Sequence, residues 1–219
     1  MSKRLRSASV DEADKAFADL EATLKQYDEK REVVIKRSRD IQKNAKHAIY
    51  ALQRNDMAKA NELLLQCEEF AKQDLLEMVI NDPELRYGSF ANAMEEYAEG
   101  VLFRSYCESE TSTTPMPITD FPIKITADEY LGGLMDCVGE VQRRAVLEAT
   151  KGQLKQVQRA REFVDYVLGR IMLFELRNGN LRKKSDSIKW CLKRLEEVLF
   201  DLSVSGRFTG LQQPDAPEE

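Results

Sequence analysis

Residues 11–54 read DEADKAFADLEATLKQYDEKREVVIKRSRDIQKNAKHAIYALQR, and neither here nor anywhere else before Pro83 does a proline or glycine occur. Sheets need turns and turns draw on these two residues, so a gap of this length points to helix. Phe17, Leu20, Leu24, Tyr27, Val34, Ile41, Ala45, Ala48, Ile49 and Leu52 recur mostly at spacings of three, four or seven, which gathers them on one helical face. Ser9-Val10-Asp11-Glu12 is a capping box that predicts the start of this helix, with its end near Arg54.

Working outward, a second helix is expected from about Met57 to Ile80, ended by Asn81-Asp82-Pro83. A third carries Phe90, Met94, Tyr97, Val101 and Phe103 to about Ser109. Pro115, Pro117 and Pro122 mark a loop over residues 110–124, long enough to be mobile or functional. Thr126-Ala127-Asp128-Glu129 is another capping box and opens a helix reaching Thr150. A fifth spans Gln153 to Leu176, with Gly179 suited to a left-handed cap, and the last runs from Asn180 to Val204. The sum is one all-α domain, residues 1–208, a bundle of six or seven long helices, followed by a disordered acidic tail over 209–219.

The 219 residues suffice for one core, and 42% hydrophobic with 32% charged is an ordinary globular balance. No apolar run approaches the roughly 18 residues of a membrane span. Cys67, Cys107, Cys137 and Cys191 lack metal-ligand spacing, and the N-terminus lacks an apolar leader core, so reduced thiols and a cytoplasmic location are expected, with the nucleus a second one in a eukaryote.

The net charge of −5 argues against a generic DNA-coating protein but conceals blocks. Lys30, Arg31, Lys36, Arg37, Arg39, Lys43, Lys46 and Arg54 outnumber three anions between Glu29 and Arg54. Residues 143–161 and 177–194 are also basic, whereas residues 62–99 hold ten carboxylates against Lys72 and Arg86. Such stripes suit a polyanion; solvated helix faces laced by local ion pairs fit equally, and charge alone leaves both readings open.

Within the acidic block Glu96 and Glu99 are three apart, and Asp136 and Glu140 four apart, so each pair shares a helical face. Four hard oxygen donors on two helices suit Mg²⁺ or Mn²⁺ and phosphodiester hydrolysis. Asp136 lies in the apolar run Leu131–Val138 and is expected to be at least partly buried, which calls for a cationic partner or a metal. A buried ion pair with Arg104 or Arg39 accounts for the pattern equally well. His47 reads as a polar-face residue, Trp190 and the phenylalanines as core, and Gly132-Gly133 as a site of close helix packing. With one histidine and no GxSxG, Walker A or GxGxxG motif, other catalytic classes find no support.

Several segments resemble the translin family, which comprises translin-type and factor X-type subunits. Ser38 to Arg54 (SRDIQKNAKHAIYALQR) is similar to the first helix of the factor X type, Glu96-Tyr97-Ala98-Glu99 to its Glu-Tyr-Val-Glu element, and Tyr130 to Glu140 (YLGGLMDCVGE) to its aspartate-to-glutamate helix. Asn180 to Val204 is closer to the translin type. The matches span about residues 10–206. The resemblance implies an all-helical subunit of a hollow homo- or hetero-oligomer, often an octamer, that binds single-stranded RNA or DNA on interior basic surfaces. From the factor X type it further implies a Mg²⁺-dependent endoribonuclease, with Glu96, Glu99 and Asp136 as metal ligands and Glu140 as a further catalytic carboxylate, acidic in both types. Arg31, Lys36, Arg37, Arg39, Lys43, Lys46, Arg143 and Arg144 are the candidate phosphate contacts. A non-catalytic nucleic-acid-binding subunit is the alternative, and a helical scaffold for acidic protein partners a third reading.

Overall fold

A computed structural model describes residues 2–204, with side chains from residue 12 onward. The tail and the proposed boundary at residue 208 lie outside the described residues. Seven α-helices follow in order: α1 Ser2–Gln53, α2 Met57–Phe70, α3 Leu76–Asn81, α4 Ser89–Glu108, α5 Ala127–Thr150, α6 Leu154–Ile171 and α7 Asn180–Val204. No strand is present among the described residues, and no helix is long and apolar enough to cross a membrane.

The core forms where the apolar stripe of α1 meets α4 and α2. Val34, Ile41, Ala45, Ala48 and Leu52 are buried against Leu64, Met94, Tyr97 and Val101 of the same cluster. On its far side α4 packs on α5, and α6 and α7 close the bundle. Glycines set the closest approach: a Cβ at Gly133 would stand 2.7 Å from the Glu95 carbonyl oxygen and 2.7 Å from the Glu99 amide nitrogen. The expected tight packing at Gly132-Gly133 is therefore present, and it seats α5 directly on the acidic turn of α4.

Several expectations are corrected. Ser9 does not start α1, which begins at Ser2, because nothing in the first ten residues breaks a helix. The stripe is also not core throughout, since Phe17, Leu20 and Leu24 are 72%, 59% and 65% exposed on an arm that runs past the bundle. An open concavity of about 1050 Å³ follows that arm, and none of Glu96, Glu99, Asp136 or Glu140 lines it.

The second helix is interrupted by a π-helical stretch, Ala71–Leu75. Cys67, Ala71, Leu75 and Val79 are four apart, a spacing that drifts around an α-helix of 3.6 residues per turn. The wider turn keeps all four buried. The fifth helix ends at Ile171 rather than Leu176, and Gly179 is not left-handed; its carbonyl accepts from the Lys183 amide at the start of α7. Trp190 is not core but 62% exposed, with Lys189 and Lys193 ammonium groups 5.7 and 5.8 Å from its ring.

The second capping box is present at Thr126, where Glu129 accepts from the Thr126 amide at 2.7 Å and Thr126 Oγ1 from the Glu129 amide at 3.2 Å. Arg86, on a 3₁₀ turn at Pro83–Arg86, donates to both oxygens of buried Glu129, at 3.1 and 2.7 Å. The long loop is tied down rather than free: Ile123 and Ile125 are buried, and the Tyr130 hydroxyl donates to the Met116 carbonyl at 2.8 Å.

Candidate functional site

Glu96 and Glu99 sit on α4 where it is pressed against both α1 and α5, and Glu140 faces them from α5. With Lys46, Ile49 and Tyr50 of α1 and Arg143 of α5 they line a cleft of about 250 Å³. Lys46 Nζ is 3.7 Å from Glu96, and Arg143 Nη1 is 3.7 Å from Glu140. Gln53 Nε2 donates to the Glu140 carboxylate at 2.7 Å and to its backbone carbonyl at 2.9 Å, holding that side chain against the end of α1.

Glu99 is the outlier. It is 91% buried, and among the described residues its carboxylate makes no hydrogen bond and no ion pair. Burial pushes its pKa up to about 8, and the charges of Asp136, Glu96 and Glu140 push the same way. Glu96 is raised as well, chiefly by burial and then by Asp136, against the pull of Lys46. Of the four carboxylates singled out in sequence, Glu96, Asp136 and Glu140 therefore lie close enough to act on Glu99.

Asp136 is partly buried, as expected, but its partner is neither Arg104 nor Arg39. Lys184, arriving from α7, donates from one ammonium to Asp136 and to Glu95. Burial lowers the pKa of that ammonium, yet the hydrogen bonds to Asp136 and Glu95 outweigh it and the net change is upward. Among the described residues no three acidic, histidine or cysteine side chains are placed to enclose an ion as they stand. The donor chemistry nonetheless fits a hard divalent cation: oxygen ligands only, a surplus of negative charge, and in Glu99 a carboxylate at the cleft wall that no ion pair engages and that the Lys184 charge only partly offsets.

The basic residues divide. Lys36, Arg39, Lys43, Lys46 and Tyr50 follow one another at spacings of three and four, a single stripe of α1 that leads into the cleft. Arg39, Lys43 and Lys46 are exposed, as is Arg143. Arg31 is exposed but borders a separate small pocket with Tyr87. Arg37 is engaged within the fold, 2.9 Å from Asp74 and stacked 5.4 Å over Phe70. Arg144 caps the end of α1, donating to the Leu52 carbonyl at 2.9 Å and to Asn55 Oδ1 at 2.6 Å. His47 is exposed on the polar face, as read.

Glu95, Lys184, Gln53 and Tyr50 were not legible as site residues. Glu95 carried one usable signal, lying four residues before Glu99 and opposite Gly132, whose missing side chain leaves room for the Glu95 carboxylate. Lys184 carried none, being one of seven cations in its run.

Residues 29–206 match the family model described as Translin family. The chain belongs to the Translin family. Translin of Gallus gallus is 32% identical over 114 residues, covering 48% of this chain and 49% of that protein, and Translin of Homo sapiens is 28% identical over 113 residues, covering 48% and 50%. The chain spans about half the length of these curated relatives in the match. The fold also superposes on two solved members of the C3PO type. The AfC3PO–duplex RNA complex gives a TM-score of 0.77 at 20% identity, over 87% of this chain and 98% of that one. Apo-NeC3PO gives 0.74 at 22%, over 84% and 95%. At these identities the likeness establishes the fold alone, which is all-α as the sequence pattern predicts and translin-like as the resemblance implies.

Proposed function

We propose that this chain is a subunit of a translin-type oligomer that binds single-stranded or partly unpaired RNA and cleaves it as a Mg²⁺-dependent endoribonuclease. The observation that carries the reading is the convergence of Glu96, Glu99 and Glu140 on one cleft rimmed by Lys46 and Arg143, with Glu99 making no hydrogen bond or ion pair there and raised by burial and then by the charges of Asp136, Glu96 and Glu140. Glu96, Glu99 and Asp136 would hold the ion, with Glu140 steadied by Gln53 beside them. When bound, Mg²⁺ supplies Lewis acidity that neutralises charge developing on a phosphoryl group. Lys46 and Arg143 would grip the phosphate, Arg39 and Lys43 the strand approaching along α1, and the exposed ring of Tyr50 offers a face on which a base can stack. Family membership and the fold shared with a protein solved on duplex RNA support nucleic-acid binding, of RNA before DNA. Exposed Phe17, Leu20 and Leu24 on the α1 arm, and Trp190 and Phe200 on α7, are apolar surface of the kind that subunit contacts cover in a homo- or hetero-oligomer, an octamer in the reading favoured here.

One observation favours a second reading, a binding subunit without catalysis: Asp136 is already paired with Lys184, and among the described residues no three carboxylates enclose an ion as placed. Incubating a labelled single-stranded RNA with the purified chain, in Mg²⁺ and in EDTA, beside the E99A and D136N proteins decides between them. Cleavage that requires the metal, Glu99 and Asp136, with binding retained in D136N, supports the nuclease. Binding without cleavage, or cleavage indifferent to both substitutions, overturns it.

A further inference from the structure

Five carboxylates crowd the seam between α4 and α5, but they are not held alike. Glu96, Glu99 and Glu140 line the open cleft, whereas Glu95 and Asp136 share one ammonium, that of Lys184. Asp136 belongs to both sets: it lies one helical turn before Glu140 on α5, and its oxygen accepts from Lys184. The Lys184 side chain is only 22% exposed and reaches the seam from α7, an element otherwise packed on α5 and α6. Gly132 is what lets Glu95 reach the same point, because a Cβ there would collide with the Glu95 carboxylate. An ammonium has three donors and no acceptor, so between two carboxylates it is a bound monovalent cation delivered by the chain.

We infer that Lys184 is a resident cation: its ammonium fills a second cation position, between Glu95 and Asp136, so that the site accepts a single divalent ion on the Glu96, Glu99 and Asp136 side. This rests on the metal reading of the cleft. Lys184 then acts as a positioning residue, keeping Asp136 turned toward the seam, offsetting one of the two negative charges there and occupying the place a second ion would take. The charge comes from the C-terminal helix, which couples the ion content of the site to the seating of α7.

The test is the number of Mn²⁺ ions bound per chain, counted from the paramagnetic resonance of the unbound ion with the full-length assembled protein. Wild type is expected to bind one, E99Q none, K184R one, and the uncharged K184M and K184Q two. Two ions in wild type overturn the inference whether or not the uncharged variants fold. One ion in a folded K184M or K184Q, lost again on adding E99Q, overturns it while leaving the metal reading standing. No ion in wild type overturns both.

Discussion

Gly133 and Glu99 touch through their backbones: a Cβ on residue 133 would lie 2.7 Å from the Glu99 amide nitrogen, a distance real side chains do not tolerate. The seam between α4 and α5 exists because position 133 has no side chain, and the acidic cleft is built on that seam. G133A should therefore force the helices apart and cost about 1–3 kcal/mol by denaturant unfolding. G139A on the same helix, with open space around it, should gain up to about 1 kcal/mol from helix propensity. Equal effects of the two substitutions would contradict the packing argument.

Glu99 makes stability depend on pH in a definite sense. Its folded pKa, about 8, lies above the ordinary carboxylate value, so between pH 4.5 and 8 the folded chain holds a proton that the unfolded chain has released. Stability from this group is complete below about pH 4.5 and is lost as pH rises through 8. Thermal unfolding in EDTA should show the metal-free protein weakening across that window. E99Q should flatten the slope and raise stability at pH 8 on the order of 2 kcal/mol.

The two classes of basic residue should separate in binding assays. Removing Arg39 and Lys43 together, which are exposed on the stripe entering the cleft, should weaken binding of single-stranded RNA and reduce the log–log salt slope by about 1.4, near 0.7 per phosphate contact. R37A breaks a half-exposed pair with Asp74 instead and should change stability by about 1 kcal/mol without altering the slope. Filter binding across a salt series distinguishes the outcomes.

Arg86 and Glu129 join the 3₁₀ turn before α4 to the cap of α5 through two hydrogen bonds, with Glu129 only 3% exposed. R86M strands a buried carboxylate and should cost about 3 kcal/mol. R86M combined with E129Q should recover part of that loss, because no full charge is then left buried. A double-mutant cycle in urea measures both.

The exposed arm predicts a change in assembly rather than in fold. Replacing Leu20 and Leu24 by glutamate alters side chains that are 59% and 65% exposed, so helical content should stay constant by circular dichroism. Light scattering on the same samples should report a smaller particle. An unchanged particle mass would show that subunits meet elsewhere.

What the sequence determined by itself was local. The absence of proline and glycine before Pro83, the Thr126 capping box and the periodicity of α4 and α5 dictated helices, because turns, caps and faces are decided by residues three or four apart. Glu96, Glu99, Asp136 and Glu140 were legible on the same ground, as same-face pairs in apolar surroundings. The tertiary structure decided everything that depends on which faces meet. Phe17, Leu20 and Leu24 follow the same helical period as Val34, Ile41 and Ala45, yet only the latter are buried. Arg37 and Arg144 look like their neighbours in sequence but are engaged by Asp74 and by the end of α1. Lys184 lies 48 residues from Asp136 along the chain, and no helical period spans that distance. Only the packing of α7 against α5 makes the two an ion pair, since charge–charge contact is set by proximity in space and not by spacing along the chain.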